Sequence, residues 1–368
     1  MANHQLIELA GLFLKLGCTA FGGPAAHISL MENEFVRRRQ WLTQAEFLDL
    51  LGLANLIPGP SSTELAIFIG YRRAGWRGLL LGGVCFILPA FLIVFLIARA
   101  YVQYGKLPHI TGLLMGIKPV IIAVMVQALW NLGPTAVKNR WLALLEAVAV
   151  MASALGVAPL AVLFGSGLLW MAGPGNRGRI ATFGLPVPVL GAGMAIPFKL
   201  GSLFLFFLKV GAVVFGSGYL LLAFLRADLV TRWHWLTETQ LLDAVAVGQF
   251  TPGPVFTTAT FIGYLLGGPA AAAVATIGIF LPSFLLVAIC GPWLPQLRKS
   301  ARLGAFLDGV NVGALALMVV VTWQLGRAAL VDGLTVTLAL VAGGLLLRYR
   351  VNSAWLILGG AVVGWCFR

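Results

Sequence analysis

A Pro-Gly-Pro triplet occurs twice in this chain, each time inside a long apolar run: LIPGPSSTE at residues 56–64 and FTPGPVFTT at residues 250–258. Proline lacks a backbone donor and restricts the residue before it, so neither triplet can continue a helix. Proline is nonetheless favoured at the first helical position, and hydroxyl residues are good helix starts. Each triplet therefore predicts one helix that ends just before it and another that begins at its second proline.

Composition places these breaks in a membrane. Apolar residues make up 60% of the 368 residues and charged residues 10%, whereas soluble domains carry about a quarter charged residues. Runs such as 78–98 and 270–291 contain no charge and reach the roughly 20 residues that span a bilayer. The sequence therefore predicts an all-α, multi-pass protein of the cell's inner (plasma) membrane. A helix start at membrane depth exposes N–H groups and a positive dipole end, which is a ready anion site.

The net charge of +13 does not indicate nucleic acid, because the basic residues form short clusters beside apolar runs. Such clusters, for example Arg37–Arg39 and Arg72–Arg77, are typical of cytoplasmic loops next to anionic lipid headgroups. The expected partner is therefore the lipid bilayer. The four cysteines and four histidines are scattered without metal-ligand spacing, so no metal site and no cofactor are predicted.

The sequence repeats itself at a constant spacing. A shift of 194 residues places Pro58-Gly59-Pro60 on Pro252-Gly253-Pro254, and after a one-residue deletion the shift becomes 193. The matched segments include Phe21-Gly22 with Phe215-Gly216, Trp41-Leu42-Thr43 with Trp235-Leu236-Thr237, and Ile69-Gly70-Tyr71 with Ile262-Gly263-Tyr264. We interpret the chain as a tandem duplication: an N-terminal transmembrane repeat at 1–172, a Gly/Pro-rich linker at 173–197 and a C-terminal transmembrane repeat at 198–368.

The helical arms on either side of each triplet are only about a dozen residues long, which is short for a full span. We therefore expect re-entrant hairpins rather than separate crossings. The loop after the first hairpin is basic (Arg72-Arg73, Arg77), whereas Gly267-Gly268-Pro269 after the second carries no charge. This asymmetry favours two halves that are inverted in the membrane, as in many secondary transporters, and a parallel arrangement is left open.

Several motifs together resemble the chromate ion transporter family in its two-domain form. They are FGGP at 21–24, Trp41-Leu42-Thr43, the Pro-Gly-Pro run continuing into Ser62-Thr63-Glu64-Leu65-Ala66, and IGYRRAG at 69–75. The resemblance covers nearly the whole chain. It implies export of chromate, with sulfate as a look-alike oxyanion, driven by the proton or potential gradient. The second half departs from the pattern, with Gly216-Ser217-Gly218 in place of GGP.

A tetrahedral dianion needs helix N-termini, hydroxyls and one or two cations. The candidate ligands after the breaks are Ser61, Ser62, Thr63, Thr257 and Thr258. The candidate glycines, which permit close backbone approach, are Gly22, Gly23, Gly59, Gly216 and Gly253. The alternative is that the hydroxyls only cap helices and that the glycines only allow helices to pack closely.

Charged residues inside apolar segments form a second group of candidates. Lys15 and Lys209 occupy matched positions, and we predict that they bind the anion, with snorkelling to the interface as the alternative. Lys118 is a weaker candidate, since its repeat mate is Asn311. Carboxylates that could carry a coupled proton are Glu64, Asp49 and Asp243, although a helix-dipole role or pairing with a basic group would also explain them. His27 is expected to be structural.

Other function classes fit the sequence less well. A passive oxyanion channel or a sulfate uptake transporter would use the same parts. An intramembrane enzyme is a distant alternative, because the chain contains no HExxH and no P-loop. The sequence leaves open whether two chains form a homodimer.

Overall fold

A computed structural model of the chain describes residues 2–21, 23–104, 108–173, 197–215, 218, 220–290, 300–349 and 351–367. Helices of the first half are α1 (Ala2–Thr19), α2 (Gly23–Glu32), α3 (Gln44–Ala54), α4 (Ser61–Tyr104), α5 (Pro108–Ala136), α6 (Arg140–Ala154) and α7 (Pro159–Ala172). Those of the second half are α8 (Leu200–Gly211), α9 (Leu220–Phe224), α10 (Glu238–Phe250), α11 (Thr258–Cys290), α12 (Ala301–Ala329), α13 (Gly333–Tyr349) and α14 (Ser353–Phe367). Most of the predicted 173–197 linker lies outside the described residues.

The described residues contain four helices long and apolar enough to cross a membrane: parts of α4, α5, α11 and α12. The predicted all-α fold is confirmed, and the described part contains no β-strand.

The Trp-Leu-Thr motif shared by the two halves marks the start of a matched helix in each. Thr43 caps α3 and Thr237 caps α10, and each side chain accepts a hydrogen bond from the backbone N–H three residues on. The side chains of Glu46 and Gln240 reach back to the cap, which completes a capping box in each half. The repeated Trp-Leu-Thr motif is therefore a helix-start signal.

The two segments that flank the Pro-Gly-Pro break of the first half lie side by side. Arg72 lies 3.3 Å from Glu46, and the guanidinium of Arg73 lies 4.3 Å from the centre of the Trp41 ring. The end of the arm that follows Pro-Gly-Pro thus returns to the start of α3, and the triplet forms the tip of a hairpin. The structure shows the predicted hairpin, and its re-entrance into the membrane stays a prediction.

Helix α1 and the segment after it form a second hairpin of the same kind. The rings of Phe13 and Phe35 lie 5.3 Å apart, and Arg39 forms an ion pair with Glu8. Residues progressively earlier in α1 therefore contact residues progressively later in the returning segment, which continues from α2 through a π-helical turn at Asn33–Arg38. The chain reverses between α1, which ends at Thr19, and α2, which begins at Gly23.

Both long helices that follow the breaks reverse direction inside their bounds. Helix α4 turns at Ala74–Gly75 and α11 turns at Gly267–Gly268, where Gly75 and Gly268 have φ of +58° and +69°. Only glycine adopts such angles without strain. Each reversal is tight, and a Cβ added to Gly70 would lie 2.2 Å from the carbonyl oxygen of Gly78.

The second arms of α4 and α11, residues 76–104 and 269–290, run in opposite directions. Near its start, the α4 arm meets the end of the α11 arm, since a Cβ on Gly83 would lie 2.3 Å from the Phe284 ring. Near the end of the α4 arm, the ring centres of Phe95 and Tyr264 lie 5.0 Å apart, and Tyr264 comes just before the reversal in α11. Matched membrane-spanning arms that are antiparallel place the two halves in inverted orientation.

The helices divide into two packing groups. The first, which we call the broken-helix domain, comprises α1–α4 and α8–α11, in which α1 packs on α4, α8 on α11, and α4 on α11. The second, the helical bundle, comprises α5–α7 and α12–α14, in which α7 packs on α12 and α14 packs on α5. Each group takes helices from both halves, so the halves are interlocked.

Candidate anion site

The tip of each broken helix contacts the end of α8 or α1 in the other half. The N–H of Gly59 donates to the carbonyl oxygen of Val214 over 2.7 Å, and the N–H of Gly253 donates to that of Ala20 over 2.9 Å. The 194-residue shift that relates Gly59 to Gly253 also relates Ala20 to Val214. The two hydrogen bonds are therefore equivalent, and they place both Pro-Gly-Pro tips and both α1/α8 ends at one centre.

Glycine is required at both tips. Gly59 has φ of +138° and Gly253 has φ of +90°, which disfavour any side chain. A Cβ at Gly59 would lie 2.1 Å from Oε1 of Glu64, and one at Gly253 would lie 2.9 Å from the Cβ of Ala90. In this conformation the two predicted ligand amides donate to protein carbonyls.

His27 joins the first-half tip to this centre. Its Nε2 lies 3.0 Å from the Ala20 carbonyl oxygen, and its Nδ1 lies 3.1 Å from Oγ of Ser62. A carbonyl only accepts hydrogen bonds, so Nε2 carries a proton and Nδ1 of the neutral ring accepts one from the Ser62 hydroxyl. Both contacts are compatible with the structural role expected for His27, and one of them reaches a predicted ligand.

Two polar atoms beside the first-half tip are buried without a partner among the described residues. Glu64 is fully buried, and its Oε1 accepts a 3.3 Å hydrogen bond from Ser283 of the other half. Its Oε2 and the Oγ1 of Thr63 have no such partner. Leaving a buried polar group unsatisfied costs about 1–3 kcal/mol, so both atoms are suited to a ligand or a proton.

The hydroxyls of the second half are already satisfied. Thr257 donates to the carbonyl of Pro254 and Thr258 to that of Val255, each over 2.8 Å. Ala90 occupies the position that matches Ser283, so this tip has no equivalent hydroxyl facing it. The two breaks are similar in backbone and different in chemistry, and the unsatisfied hydroxyl and carboxylate oxygen beside a tip are those of Thr63 and Glu64.

The structure places the two matched lysines in different surroundings. Lys209 forms an ion pair with Asp228, whereas the Lys15 side chain is exposed. The residue that matches Asp228 is Glu34, and it pairs instead with Arg39, at 2.7 Å. Arg39 beside Glu34 lowers the pKa of that carboxyl.

The two matched aspartates also differ. Asp243 is buried at 2% exposure, with Lys118 Nζ 3.0 Å from its Oδ1 and the Tyr101 hydroxyl donating to its Oδ2 over 2.8 Å. Asp49 is exposed on α3. Pairing of an aspartate with a lysine, an alternative raised by the sequence, therefore holds for Asp243, and the lysine is Lys118.

Comparison with known proteins decides the family. The chromate transporter family model matches residues 7–171 and again residues 201–365. The chain belongs to the chromate transporter family. The resemblance drawn from the motifs is thereby confirmed, as is the internal repeat.

Curated members of the family cover the chain almost end to end. A chromate transport protein of Cupriavidus metallidurans is 36% identical over 98% of this chain and 92% of its own length. A probable chromate transport protein of Synechococcus elongatus is 36% identical, covering 92% and 89%. A chromate transport protein of Pseudomonas aeruginosa is 32% identical, covering 97% and 91%. No solved structure gives a significant match.

Family membership fixes the broad class: a multi-pass transporter of the plasma membrane rather than an enzyme.

The remaining predicted ligands are placed as follows. Gly23 has φ of +78°, and a Cβ added there would meet no atom within 4 Å. Ser61 is buried. Gly22 and Gly216 lie outside the described residues. Ser283 and Tyr101 were not singled out from the sequence; a serine at the repeat position of Ala90, inside a charge-free span, was the one available signal for Ser283.

Proposed function

We propose that this family member is a secondary active transporter that exports chromate, with the anion bound at the first-half Pro-Gly-Pro tip. The single observation that carries the proposal is the pair of unsatisfied buried atoms there, Oγ1 of Thr63 and Oε2 of Glu64. The names of its relatives supply the substrate. The broken helices supply a backbone suited to an anion.

The proposed ligands are the groups that surround this tip. Ser62 and Thr63 lie in the first turn of α4, so their side chains can meet one oxyanion at the positive end of the helix dipole. The Ser62 hydroxyl donates to Nδ1 of His27, so it can donate to the anion only by giving up that hydrogen bond. Opening of the Gly59 and Gly253 hydrogen bonds would add two further donors, so the present conformation is one in which these amides are closed off.

Lys15 and Lys209 stay predictions as anion ligands. The exposed Lys15 can attract chromate from solution, and Lys209 would first have to leave Asp228. Thr257 and Thr258 can contribute only by giving up their bonds to backbone carbonyls. A homodimer also stays a prediction.

Glu64 is the proposed proton carrier. Two like charges at one site repel, so a dianion and an ionised Glu64 exclude each other, and the anion binds with the protonated acid. Chromate leaving together with one proton moves one net negative charge outward. A membrane potential of 100 mV, negative inside, favours that movement by about 2.3 kcal/mol. Asp49 and Asp243 are alternative carriers.

The test is uptake of labelled chromate and sulfate into inverted vesicles, where cellular export becomes uptake. We expect saturable chromate uptake that an uncoupler abolishes, with sulfate as a weaker competitor. Lys15→Ala and Lys209→Ala show whether either lysine takes part. Uptake that is not saturable and persists as downhill flux with the uncoupler would indicate a passive channel. Absence of uptake of both anions would refute the chromate assignment.

A further inference from the structure

Equivalent surfaces of the two halves have different surroundings. Leu48 on α3 is 50% exposed, and its repeat mate Leu242 on α10 is 1% exposed. The same holds for the next position, where Asp49 is exposed and Asp243 is buried. Because the sequence pattern is shared, the difference comes from what covers each helix and not from its own composition.

The helical bundle covers the second-half surface. Helix α10 packs on α5, α12 and α14, in addition to its neighbours in the broken-helix domain, whereas α3 packs chiefly on α4. The ion pair between Lys118 of α5 and Asp243 of α10 lies at this contact. Tyr101, near the end of α4, holds the other oxygen of Asp243. We call this contact the α5–α10 dock.

The bundle carries a second surface that matches the one used in this dock. The 193-residue shift places Lys118 of α5 on Asn311 of α12, and Asn311 is exposed. The exposed face of α3, with Leu48 and Asp49, is likewise the repeat mate of the docked face of α10. The protein thus has two equivalent pairs of surfaces, one pair in contact and one pair open.

We propose that the exposed face of α3 is the docking surface for α12 around Asn311 in a second conformation, in which the α5–α10 dock has opened. The inference rests on the transport function proposed above. Since the halves are inverted, exchanging one dock for the other closes one side of the membrane and opens the other. The two tips at the centre are then reached from alternate sides.

The charge distribution assigns the open side. Arginines cluster at the link before α3 and at the reversal of α4 (Arg37, Arg38, Arg39, Arg72, Arg73 and Arg77), which places those ends in the cytoplasm. In the proposed mechanism the exposed α3 face is therefore on the cytoplasmic side. The α5–α10 dock contains the Lys118–Asp243 ion pair, whereas the α3–α12 dock would place Asn311 at the position of Lys118. The conformation with the α5–α10 dock closed and the cytoplasmic side open is therefore favoured at rest.

The experiment is thiol labelling of single cysteines introduced at matched positions, Leu48→Cys and Leu242→Cys, after the native cysteines are replaced. A membrane-impermeant maleimide is added to inverted vesicles, whose outer face is cytoplasmic. We expect Leu48→Cys to react at least about tenfold faster than Leu242→Cys, in line with the populations of two conformations. Lys118→Asn makes α5 equivalent to α12 and should reduce Leu48→Cys labelling severalfold. In right-side-out vesicles the same variant should raise Leu242→Cys labelling.

A second measurement keeps Lys118 in place. Asp49→Cys combined with Asn311→Cys should form a disulfide during turnover and stop chromate uptake until a reductant is added. Asp243→Cys with Lys118→Cys is the matched pair that should link in the resting protein.

Three results would overturn the docking proposal. The first is a Leu48→Cys variant that does not react in inverted vesicles, which would place α3 against lipid. The second is disulfide dimers between two chains at Leu48→Cys. The third is failure of the Asp49→Cys and Asn311→Cys pair to link in vesicles that take up chromate. Exchange of labelling without any uptake would instead refute the proposed function and leave the docking intact.

Discussion

Replacement of Lys118 by methionine should destabilise the protein through Asp243. The Lys118 Nζ and Asp243 Oδ1 atoms are 3.0 Å apart, with the side chains 12% and 3% exposed. At an effective dielectric constant near 20, a pair at this distance gains about 5.5 kcal/mol. Removing one partner leaves a buried charge, which typically costs about 3–5 kcal/mol. The Tyr101 hydroxyl, 2.8 Å from Oδ2, offsets part of that cost, so we expect a loss near the lower limit.

The assay is reversible unfolding in mixed detergent micelles, with Asn311→Met as the matched control at the exposed repeat position. We expect a change below about 0.5 kcal/mol in the control, as for most surface substitutions. Adding Asp243→Asn to Lys118→Met removes the unpaired charge and should restore most of the stability. Equal effects of Lys118→Met and Asn311→Met, or no rescue by Asp243→Asn, would refute the assignment of a buried ion pair.

Three further predictions follow from the tips and from the basic link before α3. Gly59→Ala should abolish chromate uptake, because its φ of +138° strains an alanine and its Cβ would lie 2.1 Å from Glu64 Oε1 and 2.4 Å from Ser283 Oγ; normal uptake would contradict the tip geometry. Glu64→Gln, which mimics the protonated acid, should keep chromate binding within a few-fold in a filter assay and remove the pH dependence of uptake; a retained pH profile would assign coupling elsewhere. Because Arg39 lowers the pKa of Glu34 below the ordinary 4.5, the stability that this contact supplies is complete above that pH and is lost as the pH falls below it. Glu34→Gln should flatten the acid limb of the unfolding midpoint measured against pH.

Much of the fold was predictable because it depends on local rules. Pro-Gly-Pro breaks, charge-free spans and the Trp-Leu-Thr helix starts each act within a few residues, and the repeat doubled every signal. The antiparallel arrangement of the halves was favoured from the charge asymmetry of two loops alone. The apolar region between Trp141 and Met171 forms two helices, α6 and α7, with a break at residues 155–158.

The site was less predictable because its contacts join distant segments. Ser283 reaches Glu64 across 219 positions of the chain, and nothing in the sequence near Glu64 indicates that contact. The lysines were chosen by symmetry, yet Lys209 meets Asp228 while the position matching Asp228 pairs with Arg39. A repeat predicts equivalent backbones, and single substitutions around each tip then decide which half carries the chemistry.

The most direct test of the central claim is equilibrium binding of labelled chromate to the purified protein, compared with the variants Thr63→Val and Thr257→Val. These threonines lie at matched distances after Pro60 and Pro254. If the first-half tip binds chromate, Thr63→Val should weaken binding by at least about tenfold, the lower limit for a hydrogen bond to a charged group. The same variant should slightly stabilise the empty protein, because it removes an unsatisfied hydroxyl. Thr257→Val should bind normally and lose a little stability with its bond to Pro254. Equal binding by all three proteins, or weakened binding only in Thr257→Val, would contradict the account.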